Sequence, residues 1–191
     1  MVLNITAFIL AGGKSSRMGT DKGLVELNSI PMIQYVLQTV NSVFHKVIII
    51  SNNPAYKHFG VEVIADEIKD IGPLGGIITG MKNSETDWNF FIACDLPYMS
   101  KEIIELILLN ANDCDAVIPV HQNKPEPLCA LYNIKEIIIF ENSVNEKDFK
   151  IQNVYNKLNH KLVEIPDSFF YSGNPFRNIN SMKDLFNSHE L

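Results

Sequence analysis

Between residues 10 and 22 the chain reads Leu10-Ala11-Gly12-Gly13-Lys14-Ser15-Ser16-Arg17-Met18-Gly19-Thr20-Asp21-Lys22. Glycines at this density let backbone N–H groups close on a phosphate chain, while Arg17 and Lys22 can supply charge to several of its oxygens. From Lys14 to Lys22 three cations stand against Asp21, a local net charge of +2 in a chain whose 16 Lys and Arg against 22 Asp and Glu give −6. An anionic ligand is therefore held locally, and the whole-molecule field repels a nucleic-acid backbone. Two phosphate motifs are excluded by spacing. A Walker A loop needs Gly where Phe8 stands, and the dinucleotide fingerprint fails because Gly12 and Gly13 are adjacent and the next glycine is Gly19. The plainer reading of the segment is a solvated basic turn.

Other polar residues follow apolar runs. Asp95 ends Asn89-Phe90-Phe91-Ile92-Ala93-Cys94, and a carboxylate at such a strand mouth can bind a hard cation such as Mg2+, which takes one or two carboxylates beside phosphate oxygens and water. A loop cap is the alternative. Asp66 is a turn residue or a ligand to sugar or base. Asn52 and Asn53 precede Pro54, as turn residues often do. His121 opens a Pro-punctuated loop that could cover a second substrate. The five histidines have no metal spacing, and Ser15 and Ser16 lie in no nucleophile elbow.

Strands are predicted over Ile5–Leu10, Lys46–Ile50, Val61–Ala65, Asn89–Cys94, Asp115–Pro119 and Leu128–Tyr132, each a short run rich in β-branched and aromatic residues. Between them lie helical patterns over Pro31–Phe44, Leu74–Lys82 and Lys101–Asn110, the last with Ser100 as N-cap. Further helices are expected near Ile134–Glu141 and Lys147–Leu158, and a final one after the capping-box spacing at Ser181. Alternation of strand and helix predicts a single-domain three-layer α/β/α sandwich with a mostly parallel sheet, spanning 1–191. In such a sheet, ligands bind at the carboxyl ends of the strands. The loops after the first four strands all carry polar groups, and all fall on that edge. With 191 residues and 46% apolar content the chain can build a full core, and its longest apolar runs are five residues, Ala7–Ala11 among them. That is far short of the roughly 18 a membrane span needs. Three cysteines in no Cys-x-x-Cys pair and no basic leader predict a cytoplasmic protein.

The loop from Leu10 to Gly19 followed by Asp21-Lys22 resembles the signature of nucleotidyltransferases with the nucleotide-diphospho-sugar transferase fold, in the form found in molybdenum cofactor guanylyltransferases. Gly72-Pro73-Leu74-Gly75-Gly76, Cys94-Asp95-Leu96-Pro97-Tyr98, Pro125-Glu126-Pro127-Leu128-Cys129-Ala130-Leu131-Tyr132 and Asn178-Ile179-Asn180 are similar to that family's blocks, in order. The resemblance implies GMP transfer from GTP to the terminal phosphate of molybdopterin, with Mg2+ as cofactor. It implies that Leu10, Ala11, Gly12 and Gly13 line the GTP site, that Lys22 contacts the phosphates, and that Asn53 and Asp66 hold the nucleoside. Asp95 would bind nucleotide and Mg2+, Arg17, Lys22 and Asp95 would carry catalysis, and Asn178 and Asn180 would face the pterin. Transient contact with molybdoenzymes or their chaperones is compatible with this role. The family's Asn-Thr-Pro-Glu-Asp-Leu is here Asn180-Ser181-Met182-Lys183-Asp184-Leu185, without the proline. Rivals on the same scaffold are a molybdopterin cytidylyltransferase or a sugar-phosphate nucleotidyltransferase; a non-catalytic nucleotide-binding regulator is a rival of another class.

Overall fold

The first apolar run divides its side chains between two cores. In β1 (Ile5–Leu10), Ile5, Ala7 and Ile9 pack on one side and Phe8 and Leu10 on the other, so every residue of the strand is buried. A strand buried on both faces needs cover on both, which fixes a three-layer arrangement. The computed structural model describes residues 4–12, 21–170 and 174–179. The remaining strands are β2 (Glu26–Leu27), β3 (Ile30–Pro31), β4 (Lys46–Ile50), β5 (Glu62–Ile64), β6 (Trp88–Ala93), β7 (Ala116–His121), β8 (Lys124–Pro125), β9 (Cys129–Asn133) and β10 (His160–Glu164). The helices are α1 (Met32–Asn41), α2 (Pro73–Lys82), α3 (Lys101–Leu109), α4 (Ile137–Asn145) and α5 (Ile151–Tyr155).

The main sheet runs β10-β7-β9-β6-β1-β4-β5, with β8 paired to β7. The pairs of β1 with β4 and β6, of β4 with β5 and of β7 with β10 are parallel, while β9 lies antiparallel between β6 and β7. The expected mostly parallel α/β architecture is what forms. α1 presents Ile33, Val36, Leu37 and Val40 to one core, beside Ile103, Ile104 and Ile107 of α3. α2 presents Leu74, Ile77, Ile78 and Met81 to the other, beside Phe140 of α4 and Val154 of α5.

The departures from expectation are local. Ser100 takes the N-cap position of α3 without a side-chain capping bond. The helix expected from Ile134 opens as a 3-10 turn over Ile134–Glu136, capped by Asn133, before α4 begins. The one expected over Lys147–Leu158 shortens to the five residues of α5. The hairpins β2–β3 and β7–β8 carry no sequence signal of the usual kind. Their central residues, Asn28 and Ser29 at φ 53° and 63° and Gln122 and Asn123 at φ 50° and 59°, make left-handed two-residue turns without the glycine that normally advertises them. The helix expected after Ser181 lies outside the described residues.

Candidate active site

The ladder continues one residue past the strand ends at the carboxyl edge. Ala11 N donates to Ile50 O at 3.0 Å, Cys94 N to Leu10 O at 3.2 Å and Ser51 N to Ile64 O at 2.9 Å. The loops after β1, β4, β5 and β6 therefore leave from one fixed line, and that line carries the polar residues.

Leu10 and Ala11 are buried in the strand end and Gly12 is exposed beyond it. Gly13 and Arg17 lie outside the described residues, as does Asn180. The chain is described again from Asp21, in a 3-10 turn over Lys22–Leu24. From this turn Lys22 Nζ reaches Asp95 Oδ2 at 3.2 Å, with side-chain exposures of 32% and 13%. A cation and a carboxylate from the loops after adjacent strands thus meet half-shielded at the sheet edge.

Asp21 is the hub that fixes the turn. Its Oδ1 accepts from Gly23 N at 3.3 Å and from the Tyr56 hydroxyl, and its Oδ2 accepts from Asn53 Nδ2 at 3.1 Å. Burial, then the neighbouring Cys94 and Asp21, raises the Tyr56 pKa, so its hydroxyl remains a donor. Asn53 also accepts from Ala55 N at 3.0 Å, capping the 3-10 helix that begins at Pro54. Gly23 is required here: a Cβ on it would stand 2.5 Å from Tyr56 Oη and 3.2 Å from Cys94 Sγ.

Asp66 is held against α2. Its Oδ1 accepts from Ile68 N at 3.0 Å and from Thr79 Oγ1 at 3.2 Å. Gly75 allows the approach, since a Cβ on it would come 3.1 Å from Asp66 Oδ1 and closer still to the Ile68 carbonyl. On the other side of Asp95 the chain returns from its C-terminal end: Ile179, fully buried against Leu27 and Met32, donates its N–H to Asp95 O at 3.3 Å. Asn178, exposed, is thereby placed next to Asp95. His121 is buried at the end of β7, its ring 4.6 Å from that of Phe170 and 5.9 Å from that of Phe176. It anchors the returning segment and does not ride on an open loop.

Asp21 and Ile179 stand within quoted motifs without a role of their own there, and Tyr56 and Gly23 stand in none. Only the pair Asn53-Pro54, with cap and first-turn types in order, hints that Asn53 has a structural task.

A model of the MobA-like NTP transferase domain matches residues 7–158. The chain belongs to the MobA-like NTP transferase family. A molybdenum cofactor guanylyltransferase of Vibrio campbellii is 35% identical over 93% of this chain and 91% of its own length. One from Cupriavidus metallidurans is 32% identical over 95% and 93%. Among solved structures, molybdopterin-guanine dinucleotide biosynthesis protein A of Archaeoglobus fulgidus superposes with a TM-score of 0.79 at 26% identity, covering 97% of each chain. The family match makes this chain a nucleotidyltransferase, and the carboxyl edge of the sheet is its candidate active site.

Asp95 on that edge is placed to hold a divalent metal ion. Asp95 offers a hard, half-shielded oxygen donor, and among the described residues no group of three or more His, Cys, Asp or Glu forms a protein cage. One carboxylate completed by phosphate oxygens and water is how Mg2+ is commonly held at nucleotide sites. No helix among the described residues is long and apolar enough to cross a membrane.

Proposed function

We propose that this protein transfers GMP from GTP to the terminal phosphate of molybdopterin, forming the guanine dinucleotide cofactor and releasing pyrophosphate. The observation that carries the reading is the Lys22–Asp95 pair at the carboxyl edge, in a chain whose relatives are named for this reaction. The donor nucleotide lies over the β1, β4 and β5 ends, with the backbone of Leu10, Ala11, Gly12 and Gly13 along its phosphates and Asp66 beside the nucleoside. Asp66 keeps Oδ2 for this contact, since Ile68 N and Thr79 Oγ1 both donate to Oδ1. The acceptor approaches from the β9 and β7 side, past Asn178 and Asn180.

An oxygen of the acceptor phosphate attacks the α-phosphorus in line. The new P–O bond forms as the bond to the bridging oxygen of the β-phosphate breaks, and pyrophosphate leaves with the electron pair. The acceptor is already ionised near neutral pH, so the protein needs no general base. Its task is to align two anions and neutralise them: Lys22 and Arg17 take charge on the phosphates, and Asp95 would hold the metal ion. When bound, Mg2+ supplies Lewis-acid polarisation of the phosphate oxygens. The reading takes 1–191 as one nucleotidyltransferase domain in the cytoplasm, where three unpaired cysteines are at home, with molybdoenzymes or their chaperones receiving the product.

Thermal stabilisation by GTP, CTP, ATP and UTP with Mg2+, followed by a GMP-transfer assay with molybdopterin, tests it. A nucleotide at about 100 times its dissociation constant adds about 2.7 kcal/mol. GTP should stabilise most. Preference for CTP would move the reaction to cytidylyl transfer, and no response to any nucleotide would overturn the phosphate site.

A further inference from the structure

Lys22 can only neutralise a phosphate if its backbone root is fixed, because a lysine side chain has several rotatable bonds and gains little from a mobile start. The turn that carries it is short. Three residues of 3-10 helix give it few bonds of its own: Leu24 N to Asp21 O and Val25 N to Lys22 O, both at 3.1 Å. What ties it to the fold is the Asp21 carboxylate, which collects donors from its own turn and from the segment after β4. Gly23 N is the local donor, and Tyr56 and Asn53 are the distant ones, 35 and 32 residues along the chain.

We propose that Tyr56 and Asn53 are positioning residues for nucleotidyl transfer, acting through Asp21 to fix the turn from which Lys22 reaches the phosphates. The inference rests on the functional reading above for the role of Lys22, and gives Asn53 a task different from the nucleoside contact the family resemblance implies. Both Asn53 amide atoms are in use: Oδ1 caps Ala55 N and Nδ2 donates to Asp21. Tyr56 is fully buried, with its ring 6.0 Å from that of Phe59 and its hydroxyl on Asp21. The missing side chain of Gly23 leaves room for that hydroxyl. A partly buried carboxylate given three donors is a rigid joint, and it joins the β1 loop to the β4 loop at the mouth of the site.

The test uses Tyr56→Phe, which keeps the ring and removes the hydroxyl, and Asn53→Asp, which keeps the cap and sets a carboxylate against Asp21. Each is measured for kcat and KM with GTP and with dGTP, alone and on a Lys22→Ala background, with the thermal midpoint in parallel. In folded protein each single variant should lower kcat/KM about 10- to 100-fold, the range a displacement of about 1 Å can cost. The loss should be equal for GTP and dGTP and should shrink to about twofold or less on the Lys22→Ala background, where nothing remains to be positioned. Losses that multiply undiminished on that background, or wild-type rates in both variants, would overturn the proposal. A loss at Asn53 confined to GTP would assign it to the ribose and overturn its positioning role. If Tyr56→Phe does not fold, Asn53→Asp carries the comparison. If the wild type transfers no GMP, the functional reading fails by itself, and the same double-mutant comparison is read on the dissociation constant of the nucleotide that stabilises the wild type.

Discussion

Lys22 and Asp95, 73 residues apart in the chain, stand 3.2 Å apart at the carboxyl edge of the sheet. β1 and β6 are parallel neighbours, so the loops that follow them begin side by side; Asp95 lies just beyond the end of β6, and the turn capped by Asp21 brings Lys22 beside it. A carboxylate and an ammonium so placed neutralise each other at the edge where the proposed nucleotide would lie.

Lys22→Ala should lower turnover about 10²- to 10³-fold, the cost of one lost preorganised electrostatic contact. GMP transfer at saturating GTP is the measurement. Turnover within about twofold of wild type would remove Lys22 from the reaction.

Gly23→Ala should destabilise the protein by about 1–3 kcal/mol, the usual cost of overpacking, because the added Cβ meets Tyr56 Oη at 2.5 Å and Cys94 Cβ at 3.3 Å. Denaturant unfolding reads the loss, and an unchanged midpoint would mean that the turn can shift away at no cost.

Glu126 sets a pH dependence. Burial raises its pKa from 4.5, with Lys124 opposing and Asp95 adding to the rise. A carboxyl group whose folded pKa lies above its unfolded one favours the folded state only while protonated, so the penalty grows as pH rises from the unfolded value through the raised one. Glu126→Gln should match wild type in stability below that window and exceed it above. Thermal midpoints of the two proteins from acid to neutral pH give the comparison; a difference independent of pH would contradict it.

The thiols should react unequally. Burial raises the pKa of Cys94 and of Cys129, and both side chains are enclosed, whereas Cys114 is only partly buried although its pKa is also raised. Iodoacetamide at mildly alkaline pH should label Cys114 first and the other two only on unfolding, as read by peptide mass. Equal rates in the folded protein would show that the sheet edge opens.

Metal removal should act on the nucleotide and not on the fold. If the proposed metal is held mainly by phosphate oxygens and Asp95, chelation of divalent ions should abolish stabilisation by GTP while leaving the midpoint of the nucleotide-free protein unchanged. A large fall in the nucleotide-free midpoint would point to a structural ion.

The sequence by itself determined the apolar strands of the central sheet, β1, β4, β5, β6, β7 and β9, and the edge that carries the chemistry. Apolar runs such as Ile5–Leu10 and Lys46–Ile50 have no alternative to burial on both faces, and their ends fix where polar loops begin. It also placed Lys22 and Asp95 on that edge, since residue type and position after a strand are both local properties. The two glycine-free hairpins were hidden because a left-handed turn in Asn-Ser or Gln-Asn depends on the strands that close it. The polar edge strand β10, with only Val163 buried, lacks the apolar run that marks an interior strand. The joint of Asp21 with Asn53 and Tyr56, and the bond of Ile179 to Asp95, were decided only by the tertiary structure. They join residues 32 to 84 positions apart, and a hydrogen bond at that separation leaves no periodicity in the chain; it exists because parallel strands bring distant loops to one line.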